Sequence, residues 1–165
     1  MIAIRGAVPA DTGLILAFIR ELAAYEKLAA EVVATENQLR ETLFAGNAKA
    51  EVLIATYNGK PAGFALFFHS YSTFLARPGI YLEDLFVRPE FRGAGVGRSL
   101  LAHIARLARA RSCGRLEWSV LDWNEPAIGF YRSLGAVPMD EWTTFRVTGA
   151  ALESLASQSH SGADP

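Results

Sequence analysis

Apolar residues recur along this chain in two rhythms, and the rhythm changes where glycine, proline or asparagine intervenes. Residues 2–5 read as a short strand. From residue 14 the spacing turns helical: Leu14, Ile15, Phe18, Ile19, Leu22 and Tyr25 fall on one face, and Asp11 stands where an N-cap belongs. Thr35 caps a second helix that carries Leu39 and Leu43 and closes at Gly46-Asn47. Two strands, 50–57 and 61–70, follow, joined by Asn58-Gly59, a pair suited to the positive φ of a tight hairpin turn. A third strand spans 80–87 and stops at Pro89. Residues 95–111 form a long helix with Val96, Leu100, Leu101, Ile104 and Leu107 on one side. A strand over 116–121 comes next, then a helix capped by Asn124 that runs to Leu134 and stops at Gly135. A strand over 142–147 and a short helix from Thr148 complete the chain. The order β-α-α-β-β-β-α-β-α-β places antiparallel hairpins first and a parallel crossover after them. It predicts an α/β fold on one mixed sheet. No internal repeat is visible, and a single domain over residues 1–156 with a flexible polar tail over 157–165 is expected.

Composition narrows the class. The chain has 165 residues, the size of one ordinary domain; it is 51% hydrophobic and 20% charged, with 10 Phe, 5 Tyr and 3 Trp, so it has the material for a packed core. A formal net charge of −1 argues against general affinity for nucleic acid or anionic membrane. The apolar run 14–19 follows Asp11 rather than a basic region and ends at Arg20-Glu21, so it reads as a helix face, neither signal peptide nor span. Cys113 is the single cysteine and cannot form an internal disulfide, which fits a soluble protein of the reducing cytoplasm. Cys113 has no histidine near it in sequence, so it is not read as a nucleophile. His69, His103 and His160 lack metal-ligand spacing, and no metal is expected. Arg98, Arg106, Arg109 and Arg111 form a basic helix edge, read as a solvated face from which one arginine could meet a phosphate.

The segment Leu82-Glu-Asp-Leu-Phe-Val-Arg-Pro-Glu-Phe-Arg-Gly-Ala-Gly-Val-Gly-Arg98 carries the most chemical information. A strand ends at a proline, a glycine-rich turn follows, and a long helix begins within it. Glycines at 93, 95 and 97 let backbone N–H groups converge without Cβ obstruction, and the helix N-terminus adds partial positive charge. Such a site suits a phosphate or pyrophosphate. It is not a P-loop, which needs a lysine that is missing here. The third glycine comes one residue early for a dinucleotide fingerprint. A tight turn that merely joins strand to helix remains the bland reading.

The spacing Arg92-x-x-Gly95-x-Gly97 resembles the pyrophosphate motif of the GNAT superfamily of acetyltransferases. Asn124-Glu-Pro-Ala-Ile-Gly-Phe-Tyr-Arg-Ser-Leu-Gly135 resembles that family's second signature, in the expected order and at the expected distance. Arg20-Glu-Leu-Ala-Ala-Tyr-Glu26, Tyr81-Leu-Glu-Asp84 and Trp123-Asn-Glu-Pro126 look like its diamine (spermidine/spermine) acetyltransferase branch, a likeness that covers the chain from Ile4 to about Leu155. The resemblance implies a GNAT fold, with a parallel strand pair splayed around acetyl-CoA, and a homodimer. It implies cofactor contacts from Leu85, Phe86 and Val87, from Arg92, Gly93, Ala94, Gly95, Val96, Gly97 and Arg98, and from Asn124, Glu125, Pro126, Ala127 and Tyr131. For the acceptor pocket it points to Tyr25, Glu26, Glu83, Glu117, Trp118, Ser119 and the Asp140-Glu141 pair.

Acetylating an alkyl amine poses a proton problem. An ammonium of pKa ~10.4 leaves about one molecule in 10³ with a free lone pair at neutral pH. A base, direct or through water, is therefore useful. Strand alternation puts Glu83 on one face with Tyr81 and Leu85, and Asp84 on the other. Glu83 is the candidate base, or else an edge charge in an ion pair; the resemblance places a water-relaying glutamate at this position. The leaving CoA thiolate needs a proton in turn. Tyr131 alone reads as a core aromatic beside Phe130, while the resemblance makes it the general acid.

The resemblance also bears on which amine is used. Polyamine-acetylating members carry Asp-Pro after the tyrosine of the second hairpin strand, whereas here Tyr71 is followed by Ser72-Thr73, as in the branch that acetylates thialysine and related lysine analogues. Spermidine and spermine are therefore expected to be poor substrates and a short amino-acid amine a better one. A protein or peptide N-acetyltransferase shares every cofactor motif and stays open. A non-catalytic acyl-CoA sensor is disfavoured by the presence of both Glu83 and Tyr131, and dinucleotide oxidoreduction by the glycine spacing.

Overall fold

The computed structural model describes residues 1–158. They divide into two compact units, Met1–Trp123 and the residues from Asn124 onward. The tail expected over 157–165 lies, from residue 159, outside the described residues, as does His160.

The first unit is built on a five-stranded sheet of order β1-β2-β3-β4-β5, formed by β1 (Ile2–Gly6), β2 (Glu51–Tyr57), β3 (Lys60–Ser72), β4 (Arg77–Val87) and β5 (Leu116–Trp118). Its helices are α1 (Thr12–Tyr25), α2 (Glu36–Phe44) and α3 (Val96–Ala110). Strands β1 to β4 pair antiparallel and β4–β5 is the parallel pair, so the mixed sheet forms as expected. The last strand is shorter than the sequence predicts, because β5 pairs only with Ile80, Tyr81 and Leu82.

Local rules explain most element ends. Asn58 and Gly59 take φ values of 49° and 79°, the paired positive values of a tight hairpin turn. Thr35 Oγ1 accepts from Gln38 N at 3.2 Å while Gln38 Oε1 accepts from Thr35 N at 3.0 Å, a reciprocal box that starts α2. Asp11 holds the N-cap position as expected but makes no side-chain bond into α1. Pro9, with its fixed φ, starts a 3-10 turn (Pro9–Asp11) ahead of the helix and leaves Asp11 inside it. The Asp11 carboxylate therefore accepts from Val8 N at 2.8 Å and from both Arg5 terminal nitrogens at 2.7 and 2.8 Å. Arg5 holds this carboxyl below the usual range.

Helices α1 and α2 cover one sheet face, where Ile15, Phe18 and Leu43 pack with Val52, Ile54, Phe64 and Phe86. Phe18 stacks on Phe64 at 5.4 Å between ring centres and tilts against Phe86 at 6.4 Å. The alternate residues Leu53, Ala55, Ala65 and Phe67 are also buried and belong to the opposite face. There α3 packs through Val96, Leu100, Leu101 and Ile104. A sheet covered on both sides reads as unbroken apolar runs, as 52–55 does. At the end of α3, Arg111 leaves the solvated edge assigned to it and grips Glu51 with two bonds, of 2.6 and 2.9 Å.

The second unit contains α4 (Glu125–Ser133) and α5 (Gly149–Ala156). Asn124 Oδ1 accepts from Ala127 N at 3.4 Å to start α4. Gly135, at φ 85°, ends it, with Gly135 N on Arg132 O at 3.0 Å and Ala136 N on Tyr131 O at 3.2 Å. The strand expected over 142–147 does not form. Its aromatic and β-branched residues suit a strand but pair with no edge among the described residues, and Trp142 and Phe145 stay 78% and 91% exposed.

Candidate active site

Strand β4 breaks its alternation at its centre. Leu66 pairs with Asp84 and Phe67 with Leu82, so Glu83 is the extra residue of a β-bulge. This corrects the expected arrangement of faces. The pairing places Tyr81, opposite Phe68, and Asp84, opposite Leu66, on the face of Phe86; Leu82 and Leu85 lie on the other. Glu83 itself is exposed. Strand pairing with β5 ends at Leu82, so from Glu83 to Val87 that side of β4 has no strand partner among the described residues. The result is a bent strand with an open backbone edge.

Acidic groups gather at the bulge. Burial pushes the Asp84 carboxyl up to about 6, and the charges of Glu83 and Glu26 push in the same direction. Glu26, the residue that ends α1, is itself raised by burial. A half-buried carboxylate whose neutral form is favoured by burial and by two nearby acids is a setting in which a cation would be welcome. Arg88 does not neutralise them: its guanidinium is bound to Glu21 at 2.9 and 2.8 Å and lies 4.8 Å over the Phe18 ring.

Beside the acids, cations and rings alternate. The Arg92 guanidinium lies 4.6 Å over the Tyr25 ring and 5.8 Å from Phe86, and its Nε donates to Val87 O at 3.0 Å. Tyr25 meets Trp123 at 6.2 Å, and Lys27 Nζ sits 4.8 Å over the Trp123 ring. The end of α1 is therefore fastened to the start of the glycine loop through Arg92. The helix closes with Lys27 N on Ala24 O at 3.2 Å and Leu28 N on Ala23 O at 2.8 Å, the two bonds of a Schellman stop. The left-handed position of that motif, usually glycine, is Lys27 at φ 60°. A lysine there costs about 1–2 kcal/mol relative to an unstrained backbone.

The glycine loop follows β4. Gly93 and Gly95 take φ of 79° and 87°, which favours glycine directly. Gly97 has no such excuse: a Cβ there would meet Val87 Cγ2 at an ordinary 3.7 Å. Neither its backbone nor its protein neighbours demand glycine, whereas a group seated against the helix end would. Ser99 N bonds Gly95 O at 2.9 Å as the first rung of α3, so the amides ahead of it have no acceptor within the helix. A bare helix start with outward amides fits the pyrophosphate of acetyl-CoA. Ala94 and Arg98 lie within this turn, and Val96 is buried beneath it.

The other sequence-derived candidates fall in several places. Ser119 Oγ bonds the Tyr81 hydroxyl at 2.8 Å, Glu117 is paired with Arg115 at 2.8 Å, and Trp118 lies opposite Leu82. Phe86 buries its ring in the core, so only its backbone is available at the β4 edge, beside Leu85 and Val87. Ser72 acts as a turn residue, its Oγ accepting from Leu75 N at 3.2 Å. In the second unit, Asn124, Glu125, Pro126 and Ala127 make the capped first turn of α4, Tyr131 stands beside Phe130 at 5.6 Å, and Glu141 is exposed. Two residues of this region, Asp84 and Lys27, were not singled out as candidates from the sequence. Adjacent acids inside a strand and a lysine at a helix stop were the signals that could have revealed them.

A bulged strand with an open edge, running into a glycine turn and helix start, is the geometry of an acyl-CoA site. The profile of the Acetyltransferase (GNAT) family matches residues 18–136, and the chain belongs to this family of acetyltransferases. It is 42% identical to thialysine N-epsilon-acetyltransferase of Bos taurus, across 94% of this chain and 97% of that protein. It is 32% identical to an L-ornithine N5-acetyltransferase of Arabidopsis thaliana, across 92% of this chain and 86% of that one. Among solved structures, an integron cassette protein from the mobile metagenome of V. cholerae matches with a TM-score of 0.80 at 27% identity, over 95% of this chain and 98% of the other.

Proposed function

We propose that this acetyltransferase moves the acetyl group of acetyl-CoA to the side-chain primary amine of a small amino acid of the thialysine, lysine or ornithine type, by direct attack within a ternary complex. The observation that carries the reading is the group of carboxylates at the β4 bulge, Glu26, Glu83 and Asp84, at the head of the open edge that leads into the glycine loop. The names of the thialysine and ornithine relatives point to the same amine class.

Acetyl-CoA supplies the activated acetyl thioester. Backbone groups of Leu85, Phe86 and Val87 would bind its pantetheine arm, and the amides from Gly93 to Arg98 its pyrophosphate. Asn124, Glu125, Pro126 and Ala127 would line the same arm. The Arg92 guanidinium, engaged with Val87 O and Tyr25, holds the loop against the strand rather than meeting phosphate. Glu26 and Asp84 attract the substrate ammonium, and Tyr25, Glu117, Trp118, Ser119 and Glu141 complete the acceptor side. Glu83, exposed on the bulge, takes the ammonium proton directly or through water. Tyr131 returns a proton to the departing thiolate. Residues 1–156 act as one catalytic domain in this reading, in a cytoplasmic homodimer. The exposed apolar side chains Val137, Met139, Trp142, Phe145 and Val147 support the dimer, and the free thiol of Cys113 the reducing compartment.

The test is competition. The protein is given acetyl-CoA and an equimolar mixture of thialysine, lysine, ornithine, putrescine, spermidine and a lysine peptide, and acetylated products are ranked by mass spectrometry. Amino-acid amines should lead, with spermidine far behind. A dominant polyamine or peptide product would sink the amino-acid reading.

A further inference from the structure

We infer that Lys27 determines specificity by anchoring the carboxylate of an amino-acid substrate. The inference rests on the acetylation of an amino-acid side chain proposed above. The carboxylates Glu26, Glu83 and Asp84 attract any ammonium, and by Coulomb attraction alone they would prefer a diamine, which brings two. An amino acid brings a carboxylate that those acids repel. Selectivity for it therefore requires a fixed cation beside them.

Lys27 is the cation that the fold offers for this role. It follows Glu26 directly, yet it makes no ion pair among the described residues. Its ammonium instead lies 4.8 Å over the Trp123 ring. That contact fixes the position of the charge while a side chain with three donors keeps hydrogens for another partner. The other cations of this region are engaged: Arg88 with Glu21, and Arg92 with Val87 O and the Tyr25 ring. The backbone gives independent support. Lys27 occupies the left-handed position of the α1 stop at φ 60°, where glycine would close the helix without strain. The helix stop itself gains nothing from a lysine there, and strained residues of this kind collect at ligand sites. The stack through Trp123, Tyr25 and Arg92 joins this ammonium to the start of the glycine loop.

Glycine at position 27 suits the backbone and removes the cation, so Lys27→Gly separates the two roles. KM and kcat are measured for thialysine and for the diamine obtained by its decarboxylation. In Lys27→Gly the thialysine KM should rise roughly 10-fold, the worth of one charge-assisted contact. The diamine KM should fall, because a cation no longer repels its second ammonium. Lys27→Arg should restore part of the preference, and the melting temperature of Lys27→Gly should equal or exceed that of the parent. A preference for thialysine over the diamine that is the same in both proteins overturns the inference and leaves the proposed function standing. If the parent itself prefers the diamine or a peptide, the proposed function fails and this inference with it. Should Lys27→Gly not fold, Lys27→Asn, which also tolerates the left-handed region, replaces it in the same comparison.

Discussion

Asp84 keeps a carboxylate inside the sheet at a pH where burial and two neighbouring acids favour its neutral form. Its proton is held more tightly in the folded chain, up to about 6 against an ordinary value of 3.8. Protonation thus supports the fold fully below the ordinary value, and that support is lost as pH rises through about 6. Asp84→Asn should accordingly raise the melting temperature at pH 7 by on the order of 5 °C and change it little at pH 4. Scanning calorimetry at the two pH values checks this, and equal shifts at both would contradict it. A destabilising charge kept in place is the mark of a functional group. Tyr131 makes the complementary kinetic case: Tyr131→Phe should lower kcat by roughly 10²-fold or more, with the Kd for acetyl-CoA near that of the parent. An unchanged kcat removes this phenol from proton transfer. The sequence pointed to Glu83 through the chemistry of ammonium ions, but it placed Asp84 on the wrong face. Alternation assumes one residue per step, and the extra residue at Glu83 is a property of the β3–β4 pairing that no single strand displays.

At the scale of elements, the glycine loop and α3 yield a prediction in which stability and binding move in opposite directions. Gly97 lies in the first turn of α3 with an ordinary φ and room for a methyl group beside Val87. Gly97→Ala should therefore raise the melting temperature slightly, since alanine favours a helix by about 1 kcal/mol over glycine. The same methyl group would stand where the pyrophosphate approaches, and the Kd for acetyl-CoA should rise at least about 10-fold. Titration calorimetry decides the matter, and unweakened binding would move the cofactor away from this turn. Elements were legible wherever a local rule governs them. The Asn58-Gly59 turn, the Thr35 box and the Gly135 stop each follow from a few adjacent residues. Legibility failed where a partner decides the outcome. Pro9 opens a 3-10 turn that ends at Asp11, so the N-cap carboxylate binds Val8 and Arg5 instead of the helix, and the 142–147 segment carries strand residues without a strand beside them among the described residues. Lys27 escaped notice for a related reason, because only the bonds at the end of α1 reveal that a lysine occupies a glycine position.

At the scale of the whole molecule, the exposed apolar side chains of the second unit are the observation on which the proposed homodimer rests. Trp142 and Phe145 alone, at 78% and 91% exposure, leave most of two aromatic side chains in water, each able to bury roughly 150–250 Å². Val137, Met139 and Val147 are exposed alongside, and a stable interface buries roughly 800 Å² per partner. On the proposed homodimer, Phe145→Asp combined with Trp142→Ser should shift the protein from dimer to monomer in sedimentation equilibrium, and a parent that is already monomeric would contradict the proposal. The proposed acetyl transfer to a small amino-acid amine is tested most directly by CoA thiol release from acetyl-CoA with each amine supplied singly. Release that depends on thialysine, lysine or ornithine, with kcat/KM well above that for spermidine, is the predicted result. Tight acetyl-CoA binding without release for any small amine, or release only with a peptide, would contradict it.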